Sequence, residues 1–296
     1  MLSRRDFGRL ITAALALPST GMAERLQQDR DRVGPKGPQG PQFSVMMWTL
    51  NKRGSFEENL ERVAEAGYRH VELVSEYKGW SGEDQRRILA RMEALGISVD
   101  AMAGMTLGFA DPSGGDAYLA ELKGLIPIAQ RLRCGQIILM SGRRIEGVSA
   151  QRQHEASIEA LKRAAEVLHG AGLAGVIEPI DRLENPSIYL DGVSEAFEIN
   201  RAVGSPSIKV LYDIYHEQRG LGNLIEKLDQ NIGEVGLIHI ADVPGRHEPG
   251  TGEVNYGNIY KHLAQLQYTG MVAMEFYPTG DVVETLRRAR EEVTHS

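Results

Sequence analysis

Eight short apolar runs, separated by longer stretches of mixed character, restrict the architecture of this 296-residue chain more than anything else in it. They are Phe43–Thr49, His70–Val74, Ser98–Ala103, Gln136–Met140, Gly175–Pro179, Ile208–Ile214, Leu237–Ala241 and Met271–Phe276. Between them the spacing changes to that of helices. Phe56 to Ala64 carries apolar residues at i, i+4 and i+7 and acidic residues in its first turn. Several of these stretches stop at a glycine and lead at once into the next apolar run, as at Ala66-Gly67-Tyr68, Leu95-Gly96-Ile97 and Ala171-Gly172-Leu173. Glycine tolerates the left-handed conformation that ends a helix. Strand and helix alternating eight times over about 250 residues predict an α/β fold of one domain, a closed (β/α)8 TIM barrel over 43–296. No G-x-G-x-x-G follows the first run, which removes the best case for a dinucleotide fold.

The residues ahead of the barrel have another character. Ser3-Arg4-Arg5-Asp6-Phe7 precedes the apolar Leu10 to Leu17 and then small residues to Ala23. This is the pattern of a cleavable export signal over 1–23, and S-R-R-x-F resembles a twin-arginine signal. A membrane anchor is the alternative, but the apolar run falls well short of the roughly 20 residues that cross a bilayer. Residues 24–42 read as a linker, polar at first and then rich in glycine and proline, with too few G-P-x steps for a collagen helix. The expected location is therefore the periplasm, without stable membrane insertion after cleavage. A twin-arginine substrate crosses the membrane already folded and can be loaded with a cofactor beforehand. Loss of three arginines and one aspartate with the signal moves the formal net charge from -7 to -9, which disfavours nucleic acid as a partner. The single cysteine, Cys134, allows no intramolecular disulfide.

In a barrel of this kind chemistry sits at the carboxyl ends of the strands. Four consecutive predicted strands end in a potential ligand: Glu178 in Val176-Ile177-Glu178, Asp213 in Leu211-Tyr212-Asp213, His239 in Ile238-His239-Ile240, and Glu275 in Ala273-Met274-Glu275. Each lies inside an apolar run, where burial without a partner costs several kcal/mol. A shared metal ion removes that cost. Separate pairing with arginines or backbone amides is the alternative. Three carboxylates and one imidazole make a hard, mostly oxygen site suited to Mn²⁺ or Mg²⁺, with Co²⁺ or Zn²⁺ as further options.

Four stretches then carry a family resemblance: Gly142-Arg143-Arg144-Ile145-Glu146-Gly147-Val148-Ser149, Ile177-Glu178-Pro179-Ile180, Leu211-Tyr212-Asp213-Ile214-Tyr215-His216-Glu217-Gln218, and the long run from His239-Ile240-Ala241-Asp242 to Val254-Asn255-Tyr256. Over Phe43 to Val293 the chain resembles the xylose isomerase-like barrels, the sugar isomerases and epimerases, and among them most closely the hydroxypyruvate isomerases. The resemblance implies that Glu178, Asp213, His239 and Glu275 hold one metal ion and that Glu178 and Glu275 are also the acid/base pair. Bacterial hydroxypyruvate isomerases carry glutamine at the position of His239, whereas ketose 3-epimerases carry histidine. Glu184 and His216 likewise match epimerase positions that contact substrate. Chemistry accords with the family: a hydrogen beside a carbonyl yields to a carboxylate only if the resulting enediolate is stabilised, which a divalent ion achieves as a Lewis acid.

Other residues are candidates for binding substrate. Arg246, in the loop after the seventh strand, could grip a carboxylate or hydroxyl in bidentate fashion, or else brace the loop against Glu248 or Glu253. His216 could orient substrate oxygens or hydrogen-bond Asp213. Glu72, near the end of the second strand, could meet substrate or a group behind it. Trp48 and Phe109 are candidates for an apolar wall or for plain core, Gly250 and Gly252 for turn geometry, and the methionines Met46, Met47, Met102, Met105 and Met140 for barrel filling. The expected function is isomerisation between a small hydroxy-ketone and hydroxy-aldehyde on a small hydroxy-carbonyl or sugar substrate. A C3 epimerase of a ketose or oxidised sugar competes with it, as does a periplasmic sugar- or metal-binding protein without turnover. A multi-zinc endonuclease would need more histidines and a basic face. Pairing of barrels into a homo-oligomer stays open.

Overall fold

A computed structural model describes residues 40–294. The expected signal and most of the expected linker lie outside the described residues. Eight parallel strands close into one barrel in chain order: β1 (Gln42–Met46), β2 (His70–Leu73), β3 (Ser98–Met102), β4 (Gln136–Met140), β5 (Ala174–Glu178), β6 (Ile208–Asp213), β7 (Val235–Ile240) and β8 (Met271–Met274). Outside them pack α1 (Phe56–Glu65), α2 (Gly82–Leu95), α3 (Gly115–Arg131), α4 (Ala150–Ala171), α5 (Val193–Val203), α6 (Ile214–Gly220), α7 (Leu224–Asn231), α8 (Tyr256–Gln265) and α9 (Val282–Thr294). None of the described helices is long and apolar enough to cross a membrane.

The helices begin and end where local chemistry directs. Ser55 and Ser81 open α1 and α2 with reciprocal bonds to Glu58 and Asp84, which satisfy backbone amides that the first turn leaves free. Gly96 and Gly172 close α2 and α4 at φ of 65° and 70°, as their sequence positions predict.

Strand alternation sorts the core into two layers, because successive side chains point to opposite faces. Val45, Val71, Ile177, Val210, Tyr212, Ile238, Val272 and Met274 face the helices in the larger cluster. Met46, Ala101, Ile138, Val176, Leu211, Leu237, Met271 and Ala273 fill the barrel interior. The same period fixes the functional side chains: Glu178 shares its face with Val176, Asp213 with Leu211, His239 with Leu237, and Glu275 with Ala273. Each therefore points inward, one step above the apolar filling.

β1 and β8 end furthest short of their apolar runs. After Met46 the chain turns into a 3-10 helix over Met47–Leu50, and the Thr49 hydroxyl donates to the Met46 carbonyl at 2.8 Å. Trp48 is thereby lifted off the strand and over the barrel mouth. β8 ends at Met274, yet the Glu275 amide still donates to the Ile240 carbonyl at 3.1 Å, so this glutamate stays tied to β7.

The loop after β7 folds around one buried carboxylate. Asp242 accepts from the amides of Val243, Gly250, Gly252 and Val254 at 2.8 to 3.0 Å. At Gly252 a Cβ would lie 2.0 Å from the Val243 carbonyl oxygen, so the loop closes only if that position has no side chain. Gly250 sits at φ 85°. The two glycines expected from sequence to shape the turn thus do so for different reasons.

Candidate active site

β5 and β6 deliver Glu178 and Asp213 as their last residues, β7 delivers His239 one residue before its end, and the chain just beyond β8 delivers Glu275. Register aligns them, with Asp213 opposite His239 and His239 opposite Ala273. One ligand atom from each of the four lies within 4.8 Å of the others, and all four residues are buried. The four strand-end residues singled out in the sequence therefore converge on one point at the barrel mouth.

Asp213 shows how the site is held. Its Oδ1 caps α6, accepting from the amides of Tyr215 at 2.7 Å and His216 at 3.2 Å. Its Oδ2 has no hydrogen-bond partner although it is buried. The nearest cationic groups, His216 Nε2 at 3.4 Å and Arg246 Nη2 at 3.5 Å, make no hydrogen bond to it, so they offset the cost of its burial only in part. The residues present therefore fit a hard divalent cation: three carboxylates, one imidazole, and a buried oxygen lacking a partner.

The two glutamates sit in opposed electrostatic settings. Burial, then the neighbouring charge of Glu275, pushes Glu178 up to about 7. Glu275 is equally buried, but Arg246 and then His239 outweigh burial and hold it below the usual carboxylate range. Arg246 Nη2 lies 2.7 Å from Glu275 Oε2, His239 Nδ1 lies 2.7 Å from the same oxygen, and the Trp48 indole N–H donates to Glu275 Oε1 at 3.1 Å. Carboxylates driven apart in this way are a mark of acid/base sites.

A cavity of about 330 Å³ opens over these ligands. Glu178, Glu184, His216, Arg246 and Glu275 form its charged side, and Met46, Trp48, Ala103, Met105, Ile138 and Met140 its apolar side. Arg246 reaches the site from the loop after β7. It donates to Glu184 at 2.9 and 3.0 Å, lies 3.5 Å from Asp213 Oδ2, and stacks over the rings of Tyr215 and Trp48. The expected alternative for Arg246, a brace to Glu248 or Glu253, is absent from the described contacts. Glu248 instead accepts from Thr279 and Glu253 from Gln218.

His216 lines the cavity, and its Nε2 stands 3.4 Å from Asp213 Oδ2. Its Nδ1 lies 2.7 Å from Asp181 Oδ2. Burial works against a charged imidazole there, but Asp213 and Asp181 outweigh it and hold His216 at about 9. Asp181, Glu184 and His216 also come close enough to suit an ion. Arg219, 3.3 Å from Asp181 and 3.2 Å from Glu184, together with Arg246 already supplies the positive charge, so that cluster is complete without one.

Glu72 lies elsewhere than along the cavity. It is fully buried inside the barrel, with Oε2 2.9 Å from His239 Nε2, and so stands behind the imidazole. Phe109 is packed edge-on against Tyr118 in the outer core and forms no part of the cavity wall. Met46, Met105 and Met140 do line the cavity, while Met47 and Met102 fill the outer core.

Sequence reasoning missed Asp181, Arg219 and Asp100. Asp181 stands three residues after Glu178 and could have been suspected from its strand-end position. Asp100 lies in a bulge of β3, accepts from the Ser44 hydroxyl at 2.6 Å, and is pushed well above the carboxylate range by burial and by the charge of Glu72. No spacing rule would have turned it inward.

The fold is a closed parallel (β/α)8 barrel, and the four residues at its mouth are close enough together to hold a metal ion. A family model for the xylose isomerase-like TIM barrel matches residues 60–294, and the chain belongs to that family. It is 30% identical to hydroxypyruvate isomerase of Escherichia coli over 80% of this chain and 93% of that protein. It is 28% identical to 2-oxo-tetronate isomerase of Cupriavidus necator over 80% of this chain and 93% of that one. Among solved structures, the AP endonuclease of family 2 from Brucella melitensis superposes with a TM-score of 0.76 at 26% identity, covering 83% of this chain and 96% of that one. The chain is an enzyme of the isomerase class.

Proposed function

We propose that this protein is a divalent-metal-dependent isomerase of the hydroxypyruvate isomerase type, interconverting a small hydroxy-ketone and hydroxy-aldehyde through an enediolate. The observation that carries this is the buried cluster of Glu178, Asp213, His239 and Glu275, whose ligand atoms lie within 4.8 Å of one another, with burial raising Glu178 and Arg246 lowering Glu275 within it. A divalent ion held by Glu178, Asp213, His239 and Glu275, Mn²⁺ or Mg²⁺ by its donor set, would supply Lewis-acid stabilisation of the enediolate oxygens.

The chain's own residues do the rest. Glu178, poised near neutrality, takes the proton from the carbon beside the carbonyl, and it or Glu275 returns one to the neighbouring carbon. Arg246 keeps Glu275 ionised and presents guanidinium N–H groups to a substrate carboxylate or hydroxyl. Protonated His216 donates to a substrate oxygen. Trp48 and the methionines keep water off the reacting carbons. The relatives' names accord with a short hydroxy-oxo acid as substrate. The S-R-R-x-F leader supports export of the folded enzyme to the periplasm.

A second substrate class is favoured by one observation. The cavity of about 330 Å³ is larger than a three-carbon acid needs, and Glu184 and His216 line it. A ketose or oxidised sugar undergoing C3 epimerisation would use that room. The deciding experiment supplies purified protein and Mn²⁺ with hydroxypyruvate or with free ketoses and follows products by NMR. Tartronate semialdehyde from hydroxypyruvate supports the isomerase; inverted C3 in a ketose with hydroxypyruvate untouched overturns it in favour of the epimerase. Mn²⁺ binding without solvent exchange into any substrate would leave a binding protein.

The pKa shifts set a pH dependence. A metal ligand must be deprotonated. Glu178 titrates near 7, and His239 is raised well above its ordinary value by Glu72 and Glu275, which outweigh burial. Apparent Mn²⁺ affinity should therefore fall as pH drops through 7, by up to about tenfold per pH unit for each proton displaced. Isothermal titration at pH 6, 7 and 8 checks this, and an affinity constant across that range contradicts it.

A further inference from the structure

Among the described residues, Glu72 is the carboxylate placed in the apolar filling of the barrel against His239. Its neighbours in that layer are Met46, Ala101, Ile138, Val176, Leu211 and Leu237. Neither of its oxygens, nor His239 Nε2, has a partner in hydrogen-bond geometry, although Oε2 and Nε2 are in ion-pair contact at 2.9 Å. Burying such a group costs several kcal/mol more than a leucine of similar size would. Its position on β2, across the barrel from β7, puts it on the far side of the imidazole from the other ligands. His239 Nδ1 faces Glu275 Oε2 at 2.7 Å and Glu178 Oε1 at 4.0 Å, whereas Nε2 faces only inward.

We propose that Glu72 is a positioning residue, which holds His239 by its Nε2 proton and so makes Nδ1 the nitrogen offered to the metal. Both nitrogens face a carboxylate, Glu275 at Nδ1 and Glu72 at Nε2; an ion held by Glu275 would displace the proton from Nδ1 and leave it on the side of Glu72. A carboxylate behind a ligating histidine fixes the ring, selects the tautomer and raises the basicity of the other nitrogen. Asp100 accepts from Ser44 and also meets Glu72, so Glu72 stands between Asp100 and the imidazole. This inference rests on the metal-dependent reading above.

The test compares Mn²⁺ affinity by isothermal titration in the full chain for wild type, Glu72→Leu, Glu72→Gln and Asp100→Asn. Near-UV circular dichroism and Tm establish that each is folded. Leucine removes the acceptor and should weaken Mn²⁺ binding about 10- to 100-fold. Glutamine can still accept through its amide oxygen and should recover part of that loss. Asp100→Asn alters the same layer without touching His239 and should leave Kd within about threefold of wild type. A residue that only supported the fold would lower Tm and leave the Kd of the folded protein unchanged. Wild-type affinity in Glu72→Leu overturns the role of Glu72 while the metal site stands; absence of Mn²⁺ binding in wild type overturns both. If leucine prevents folding, the Nε2 proton of His239 decides, observed by NMR in zinc-loaded protein labelled with ¹⁵N-histidine. In Glu72→Gln it should move upfield of its wild-type position, and an unmoved signal overturns the proposal.

Discussion

Glu178→Gln abolishes exchange of the substrate's reacting hydrogen with solvent deuterium while the barrel remains folded. The amide keeps the size and the coordinating oxygen of the glutamate but cannot accept a proton at neutral pH. Positioned acid/base groups contribute about 10²- to 10⁴-fold each, and the loss should reach the upper part of that range because Glu178 is the carboxylate poised near 7. Glu275→Gln should also stop turnover, for a different reason: it removes the ionised partner and the anchor shared by Arg246, His239 and Trp48. ¹H NMR in deuterated water reads the exchange directly. Full exchange in either variant removes the pair from the chemistry.

Arg246→Met should be the most destabilising single change at the barrel mouth. The guanidinium lies against Glu184, Asp213 and Glu275, itself only 5% exposed. Removing one partner from a buried ion pair leaves the others uncompensated and costs about 3 to 5 kcal/mol. Exposure of Glu184, at 40%, places the expected loss near the lower end, about 3 kcal/mol. Mn²⁺ should restore part of it, since a bound cation replaces the missing charge at Asp213 and Glu275. Chemical denaturation of the metal-free and Mn²⁺-loaded variant measures both. Equal losses with and without Mn²⁺ would show that Arg246 and the ion do not serve the same carboxylates.

Much of this site could be read before any coordinates, because strand alternation is a rule of period two. Once Leu211, Leu237 and Ala273 are assigned to the barrel interior, Asp213, His239 and Glu275 must point the same way. Trp48 was placed correctly at the mouth, although the 3-10 turn that lifts it there depends on the side-chain bond of Thr49. Loops were less legible. Arg246 was expected to face substrate or to pair with acids in its own loop, yet it reaches Glu184 in the loop after β5, 62 residues away. Such long-range pairing is set by how loops of the closed barrel meet, which no local pattern encodes. Glu72 was recognised as a strand-end acid, but its depth beneath His239 follows from the stagger between β2 and β7. For Phe109 the sequence leaves cavity wall and plain core both open; packing against Tyr118 puts it in the outer core.

One measurement bears most directly on whether the four remote residues act as a single centre. Crystals of the protein grown with Mn²⁺ should give an anomalous difference peak at the manganese edge enclosed by Glu178, Asp213, His239 and Glu275, with Nδ1 of His239 as the nearer imidazole nitrogen. A peak at Asp181, Glu184 and His216 instead, or none at the barrel mouth under saturating Mn²⁺, would contradict a shared ion.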